Sequence, residues 1–167
     1  MCIRDSCSTA LARGTYQEPA DFLADTFGAE PPPPGVVWLR GDTRDTATAI
    51  LGHKYPSLRV RYWGDADRSA WILEEIGKEQ PITVGLVVNA GRLERVKVLV
   101  FRESRGWEVR HPFFTDQFNE IGLTGELDLD RGIDGISGAT LSVRALKKLA
   151  RLALYLHTRI PSGDDTP

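Results

Sequence analysis

Residues 81–101, PITVGLVVNAGRLERVKVLVF, contain two runs rich in valine, isoleucine and leucine on either side of a short polar turn. Pro81–Asn89 and Leu93–Phe101 have the β-branched content typical of strands. Between them, Asn89–Arg92 (Asn-Ala-Gly-Arg) has the asparagine and glycine that a tight hairpin turn favours. The stretch therefore predicts an antiparallel hairpin.

Two further strands are predicted before this hairpin. Leu58–Trp63 alternates apolar and polar side chains, as a strand with one wet face does, and Trp71–Leu73 is a second apolar run. Consecutive strands joined by short connections predict an antiparallel meander sheet.

Helical spacing of apolar residues follows the hairpin. Phe113–Ile121 predicts a short helix with Phe114, Phe118 and Ile121 on one face, and Leu141–His157 predicts a long one. Charged residues interrupt the long helix, so it is not a membrane span. The fold class is therefore predicted as α+β, a meander sheet with flanking helices. The apolar stripe of the long helix is predicted to contain Leu141, Ala145, Leu149, Leu152, Ala153 and Leu156.

Short helices are also predicted in an N-terminal extension, residues 13–57. A helix over Ala20–Phe27 starts at Glu18-Pro19 and ends at Gly28. Pro31–Pro34 predicts an extended connection into the apolar residues 36–39. A second helix is predicted over Arg44–Leu51, with Asp42 or Thr43 as its cap. We expect this extension to pack on the main domain, residues 58–160.

Composition limits the classes of function. With 167 residues, of which 41% are hydrophobic and 26% charged, the chain predicts one globular domain with a real core. A net charge of −2 argues against nucleic acid as a partner. The two cysteines, Cys2 and Cys7, and the scattered histidines support neither a disulfide framework nor a metal site. The basic residues Arg144, Lys147, Lys148 and Arg151 are interpreted as the solvated face of the last helix.

The two ends of the chain are predicted to lie outside the domain. Ser8–Ala12 ends like an Ala-x-Ala signal-peptidase site, so residues 1–12 are interpreted as the remnant of an export signal. A disordered N-terminus in a cytosolic protein is the alternative. Residues 161–167 are polar and predict a disordered tail.

A short glycine-rich motif, Asp134–Thr140 (DGISGAT), runs directly into the last helix. Its small residues allow a tight turn and a close approach to a ligand. Thr140 is predicted to stand at the helix start, where free N–H groups and the helix dipole stabilise a phosphate. The alternative is a simple capped helix start, with Ser137 as the cap.

A second motif, Glu103–Glu108 (ESRGWE), follows the hairpin. A flat, ring-shaped cofactor needs an apolar slot and a few polar groups to orient it. Gly106 allows close backbone approach, Trp107 offers a stacking face, and Glu103 can position backbone or ligand groups. The alternative for Trp107 is plain packing under the loop.

Together the two motifs resemble those of the FMN-binding domains of Rnf and sodium-pumping NADH:quinone oxidoreductase flavoprotein subunits and their free-standing extracytoplasmic relatives. That family carries Asp-x-x-Ser/Thr-Gly-Ala-Thr and, upstream, Glu-Thr-Pro-Gly-Leu-Gly. The resemblance spans about Pro81 to Leu156. Departures of the upstream motif from the family pattern include Ser104 for Thr, Arg105 for Pro and Trp107 for Leu.

The resemblance implies that Thr140 is esterified to the phosphate of FMN by a magnesium-dependent FAD:protein FMN transferase, with release of AMP. It implies an extracytoplasmic electron carrier, rather than a stand-alone enzyme, that works with a membrane or periplasmic redox partner. Asp134 would help the transferase recognise its target. The remaining cofactor-binding residues implied are Ser137, Gly138, Ala139 and Ser142 near the phosphate, and Glu103, Ser104, Gly106 and Trp107 near the ring.

Two other functions fit parts of the sequence. The first is a non-redox periplasmic binding module in which Thr140 is never modified. The second is a serine hydrolase with Ser137 as nucleophile, since residues 135–139 approximate a nucleophile elbow. A hydrolase needs a buried strand before the serine, but residues 128–132 are polar and broken by glycine, and only His157 follows as a base. No catalytic residue is therefore predicted.

Overall fold

A computed structural model describes residues 14–161 and contains one five-stranded sheet with flanking helices. The predicted export remnant, residues 1–12, and residues 162–167 of the predicted tail lie outside the described residues. The helices are α1 (Pro19–Phe27), α2 (Asp42–Leu51), α3 (Pro112–Thr115) and α4 (Thr140–His157). The strands are β1 (Gly35–Trp38), β2 (Arg59–Gly64), β3 (Arg68–Ile76), β4 (Pro81–Asn89) and β5 (Arg92–Phe101).

The strands follow one another in the order β1-β2-β3-β4-β5, and every neighbouring pair is antiparallel. The predicted meander and α+β class are therefore confirmed. In the β4–β5 hairpin Asn89 lies opposite Arg92, and the two residues between them have positive φ angles, 54° at Ala90 and 80° at Gly91. Two successive positive φ angles are typical of the tight turns that match strand twist.

β1 adds a strand that the sequence pattern did not predict. Residues 35–38 pair with β2, and Val37 lies opposite Val60. The N-terminal extension thus supplies one strand of the sheet in addition to the helices α1 and α2. The predicted caps of α2 are wrong, because the helix already begins at Asp42 and Gly41 holds the N-cap position without a side-chain hydrogen bond.

Both faces of the sheet are covered. On one face, α2 and α4 pack on the large hydrophobic core, which includes Trp71 and Leu86. On the other face, α1 places Phe22 among Ala70, Val87 and Leu99. The Phe22 ring lies directly on β4, because a side chain at Gly85 would come within 2.7 Å of it. α1 and α4 therefore pack against opposite faces of the sheet.

The predicted stripe of α4 is confirmed at Ala145, Leu149, Leu152, Ala153 and Leu156, all of which are buried. Leu141 is the exception and is 40% exposed. Ser142 and Val143 form the buried side of the first turn, and a rotation of about 100° per residue turns the preceding position toward solvent.

The predicted helix over Phe113–Ile121 is shorter in the structure. α3 ends at Thr115, and a 3-10 turn follows over Asp116–Phe118. Glu120 has a φ of 67°, outside the helical region, so the helix cannot continue to Ile121. The apolar face was predicted correctly, since Phe114, Phe118 and Ile121 are fully buried.

A buried hydrogen-bonded group joins β3 to the end of α4. Trp71 donates its indole N–H to the Ser69 hydroxyl oxygen over 2.7 Å, and that oxygen lies 2.6 Å from Nδ1 of His157. The hydroxyl proton can then be donated to a neutral imidazole. Burial lowers the pKa of His157. The folded protein therefore favours the neutral ring.

We expect this group to make the protein less stable as the pH falls. Between the lowered pKa of folded His157 and the ordinary value of 6.5, the unfolded chain binds more protons, so the free energy of unfolding decreases as the pH drops below 6.5. His53 acts in the opposite direction, since the Lys54 carbonyl and the Glu75 carboxylate raise its pKa. Its stabilisation is present below 6.5 and is lost as the pH rises.

Denaturant unfolding between about pH 5 and pH 8 checks this expectation. The His53→Ala variant removes the opposing contribution and should show the steeper loss toward acid. Adding His157→Gln should flatten the profile over the same range. An unchanged slope in the double variant would contradict the assignment to His157.

Candidate functional site

The DGISGAT motif forms a turn that delivers Thr140 to the start of α4. The amide of Ala139 donates to the carbonyl of Ile136 over 2.9 Å, and Gly138 between them has a φ of 83°. Glycine adopts this backbone angle without strain, whereas other residues rarely do. Thr140 is the first residue of the helix and its side chain is exposed.

The N-terminus of α4 has no side-chain cap. Ala139 holds the N-cap position, the first helical turn contains no acidic residue, and no side chain in the described part of the chain makes a capping hydrogen bond. The alternative in which Ser137 caps the helix is therefore not realised. The amides of the first turn and the positive end of the helix dipole remain available to an anion.

A cavity of about 560 Å³ opens in front of this helix start, and we call it the Thr140 cavity. It joins three segments that are far apart in sequence: the β3–β4 turn, the loop after β5 and the start of α4. Six of the ten predicted site residues line it. The complete lining is Lys78, Glu79, Glu103, Ser104, Arg105, Gly138, Ala139, Thr140, Leu141 and Ser142.

Gly106 and Ser142 hold the loop after β5 against α4. Gly106 is buried and has a φ of 88°, and a Cβ added there would lie 2.5 Å from the Ser142 hydroxyl oxygen. Ser142 is itself only 5% exposed. This close approach fixes the distance between the two predicted motifs, and only glycine permits it.

Glu103 orders the wall of the Thr140 cavity. One of its carboxylate oxygens accepts hydrogen bonds from the backbone amides of Lys78 and Glu79, the latter over 2.9 Å. Both amides belong to the turn between β3 and β4. Within the described residues, Glu103 thus positions backbone groups, which is one of the two roles predicted for it.

We expect Glu103→Ala to lower the free energy of unfolding by about 1–2 kcal/mol, because two charge-assisted hydrogen bonds are lost at a partly exposed site. Amide hydrogen exchange at Lys78 and Glu79 should become faster. Glu108→Ala removes the same charge close by, from a side chain that makes no hydrogen bond within residues 14–161, and serves as the control. Equal losses in the two variants would contradict this role for Glu103.

Trp107 lies outside the lining of the Thr140 cavity. It borders an adjoining cavity of about 530 Å³ that shares Glu103 and Ser104 with the first. Its ring is 45% exposed and packs edge-on to His111, with 5.4 Å between ring centroids. The guanidinium of Arg110 lies 5.3 Å from the indole. The structure thus places Trp107 beside the Thr140 cavity rather than in it.

Asp134 and Ser137 also do not line the cavity. The side-chain amide of Gln117 holds the backbone of Asp134 at both ends: its oxygen accepts from the Asp134 amide over 2.7 Å, and its nitrogen donates to the carbonyl over 3.2 Å. This clamp ties the motif to the helical segment that carries Phe118. The carboxylate of Asp134 is left exposed at the surface.

Four lining residues were not predicted from the sequence: Lys78, Glu79, Arg105 and Leu141. Arg105 had a signal, since it replaces a proline of the family pattern. Leu141 was assigned to the buried stripe by its spacing. The β3–β4 turn had no recognisable pattern, because its place in the site depends on the sheet.

The structure does not supply the parts of a serine hydrolase around Ser137. Residues 131–137 form neither a helix nor a strand. His157 lies at the far end of α4, about 25 Å along the helix axis from Thr140, and is bound to the buried Ser69. His157, the one histidine that follows Ser137 in the sequence, is therefore out of its reach.

No helix within residues 14–161 has the length and apolar content needed to cross a bilayer. In the same range, no three His, Cys, Asp or Glu side chains cluster so as to hold a metal ion.

Residues 77–155 match the family model of the FMN-binding domain. The match begins at the turn held by Glu103 and ends within α4, so it includes every segment that lines the Thr140 cavity. This part of the chain therefore belongs to the FMN-binding domain family, and FMN is the cofactor that such a domain binds. No curated protein and no solved structure matches the chain.

Proposed function

We propose, on the premise of an FMN-binding domain over residues 77–155, that the protein is an extracytoplasmic electron carrier with FMN held as a phosphoester on Thr140. One observation carries the proposal: an exposed threonine hydroxyl stands on the first residue of an uncapped helix and opens into a cavity.

The surroundings of Thr140 fit a phosphate group. Among residues 14–161 no side chain caps the amides of the first turn of α4, and no acidic residue in that turn repels an anion. The same cavity is lined by two cations, Lys78 and Arg105, and by two carboxylates, Glu79 and Glu103. A phosphate there is stabilised by the helix end, whereas the four charged side chains of the lining balance one another.

The Thr140 cavity also fits the rest of FMN. Its volume of about 560 Å³ falls within the range of small-molecule sites, about 300–1,000 Å³. Leu141 offers an apolar surface, whereas Glu103 and Gly106 keep the opposite wall in place. Bound FMN supplies one-electron and two-electron transfer, and the protein supplies position and electrostatic environment.

Maturation in this proposal follows the chemistry of a FAD:protein FMN transferase. A bond forms between the Thr140 hydroxyl oxygen and the FMN phosphorus, the pyrophosphate bond of FAD breaks, AMP leaves, and the hydroxyl proton is released. The exposure of Thr140 supports this step, because a second enzyme must reach the side chain.

Electron transfer to a membrane or periplasmic redox partner is proposed rather than catalysis by the chain alone. The Thr140 cavity contains no paired nucleophile and base among its lining residues. A covalent link suits a location outside the cytosol, where a dissociated cofactor would be lost to diffusion. Fractionation of the native cells should find the flavin-labelled chain outside the cytoplasm, and a cytoplasmic location would contradict this part.

Co-expression with a FAD:protein FMN transferase tests the proposal. We expect a fluorescent band that survives denaturing electrophoresis and a mass increase equal to FMN less one water. Reduction and reoxidation should then be visible in the flavin absorbance. A colourless chain under these conditions would favour the non-redox binding module with unmodified Thr140.

A further inference from the structure

Thr140 borders a second groove on the side of α4 away from the Thr140 cavity, and we call it the basic groove. It measures about 640 Å³ and lies between α4 and the loop that precedes the motif. The lining is Asp128, Leu129, Arg131, Gly132, Thr140, Val143, Arg144, Lys147, Lys148 and Arg151. Five of these ten side chains are cationic and one is acidic.

Positive charge concentrates here although the whole chain has a net charge of −2. Four of the cations occur on α4 at spacings of three and four residues, so they form one stripe along the helix. From the sequence alone this stripe is interpreted as the solvated face of the helix. The structure instead places it in the wall of a concave surface that contains Thr140.

Part of this charge is already compensated. Lys148 lies 3.7 Å from the buried carboxylate of Glu75, and Arg151 lies 3.7 Å from Asp128 while donating to the Leu127 carbonyl. No ion pair is present for Arg131, Arg144 or Lys147 within residues 14–161. Arg131 donates one hydrogen bond to the Asn119 carbonyl over 2.8 Å, but its positive charge, like those of Arg144 and Lys147, is left for an external anion.

We propose that the basic groove docks an acidic segment of a partner protein. The shape favours a linear anionic chain, since the stripe from Arg144 to Arg151 extends over about 10 Å of helix axis. About three or four extended residues span that length. Complementary charge of this kind accelerates association and selects partners.

This inference deepens the proposed function, because a partner in the groove lies next to the residue that is proposed to carry FMN. Binding itself does not require the cofactor. It can therefore be measured on a Thr140→Val chain, in which the basic groove keeps all five cations.

The test uses an acidic peptide of about six glutamates, roughly 20 Å long when extended, with binding followed by fluorescence anisotropy. We expect salt-dependent binding to Thr140→Val and to the FMN-loaded wild type. Arg144→Glu/Lys147→Glu should raise the dissociation constant about tenfold or more in both. Arg59→Glu/Arg61→Glu makes the same change in net charge on exposed positions of β2 and should leave the constant within about twofold.

Four outcomes would overturn the proposal. These are no binding to the Thr140→Val chain, equal losses in the two charge-reversal variants, binding to phosphatidylglycerol vesicles but not to the peptide, and peptide binding that disappears once FMN is attached. The last would mean that the groove serves only the FMN phosphate. Failure of the proposed function shows separately, as a colourless wild type that still binds the peptide.

Discussion

Thr140→Val is expected to abolish covalent FMN and leave the fold unchanged. Valine keeps the shape and the β-branch of threonine, but it has no oxygen to form the ester bond. Residue 140 is exposed and is the first residue of the helix rather than part of the core. The free energy of unfolding should therefore change by less than about 0.5 kcal/mol. The expected change in flavin content is therefore complete, whereas the expected change in stability is small.

The measurement is in-gel flavin fluorescence together with intact mass, after co-expression with the transferase. Thr140→Ser keeps a hydroxyl and should retain label. Thr158→Val removes another exposed threonine hydroxyl, just beyond the C-terminal end of α4, and should be fully labelled. If a folded Thr140→Val chain carries as much FMN as the wild type, the attachment site lies elsewhere and the assignment of the phosphoester to Thr140 is wrong.

Gly106→Ala is expected to cost about 2–4 kcal/mol of unfolding free energy, from backbone strain and overpacking together. The residue has a φ of 88°, and the new Cβ would lie 2.5 Å from the Ser142 hydroxyl oxygen. Ser142 is buried on the first turn of α4, and its own Cβ would lie 3.3 Å from the new methyl group, so a change of rotamer alone does not relieve the contact. The loop after β5 must then move away from the helix start, and flavin labelling should fall with it.

Gly91→Ala is the matched control. Its φ is 80°, yet a Cβ there meets nothing within 4 Å, so it measures the strain of a positive φ alone, about 1–2 kcal/mol. Adding Ser142→Ala to Gly106→Ala removes the nearest atom and should recover part of the loss. If Gly106→Ala is no more destabilising than Gly91→Ala in denaturant unfolding, the contact with Ser142 does not constrain residue 106 as described.

Much of the fold was predictable because it depends on neighbours in sequence. The bounds of β4 and the hairpin turn follow from residues 81–92 alone, and α4 begins within one residue of its predicted start. Meander connections keep sequential strands adjacent, so local patterns sufficed to order β2 to β5. The first strand escaped prediction because its pairing partner lies more than twenty residues away.

The site was predictable to a lesser degree. The two motifs were predicted as separate stretches. They lie next to each other in the structure because Gly106 packs closely against Ser142 on the first turn of α4. Lys78 enters the site only because Glu103 holds the β3–β4 turn by its amides. The position of Trp107 in the adjoining cavity had no sequence signal either.

The sequence by itself determined the α+β meander, the long last helix and a threonine at its first turn, because strand and helix periods and turn residues act locally. Only the tertiary structure decided what surrounds that threonine. The packing of α4 on the sheet turns Leu141 outward, brings the loop after β5 to one side of Thr140 and leaves a cationic groove on the other. These are contacts between distant segments, and their distances are set by the shared core rather than by any local pattern.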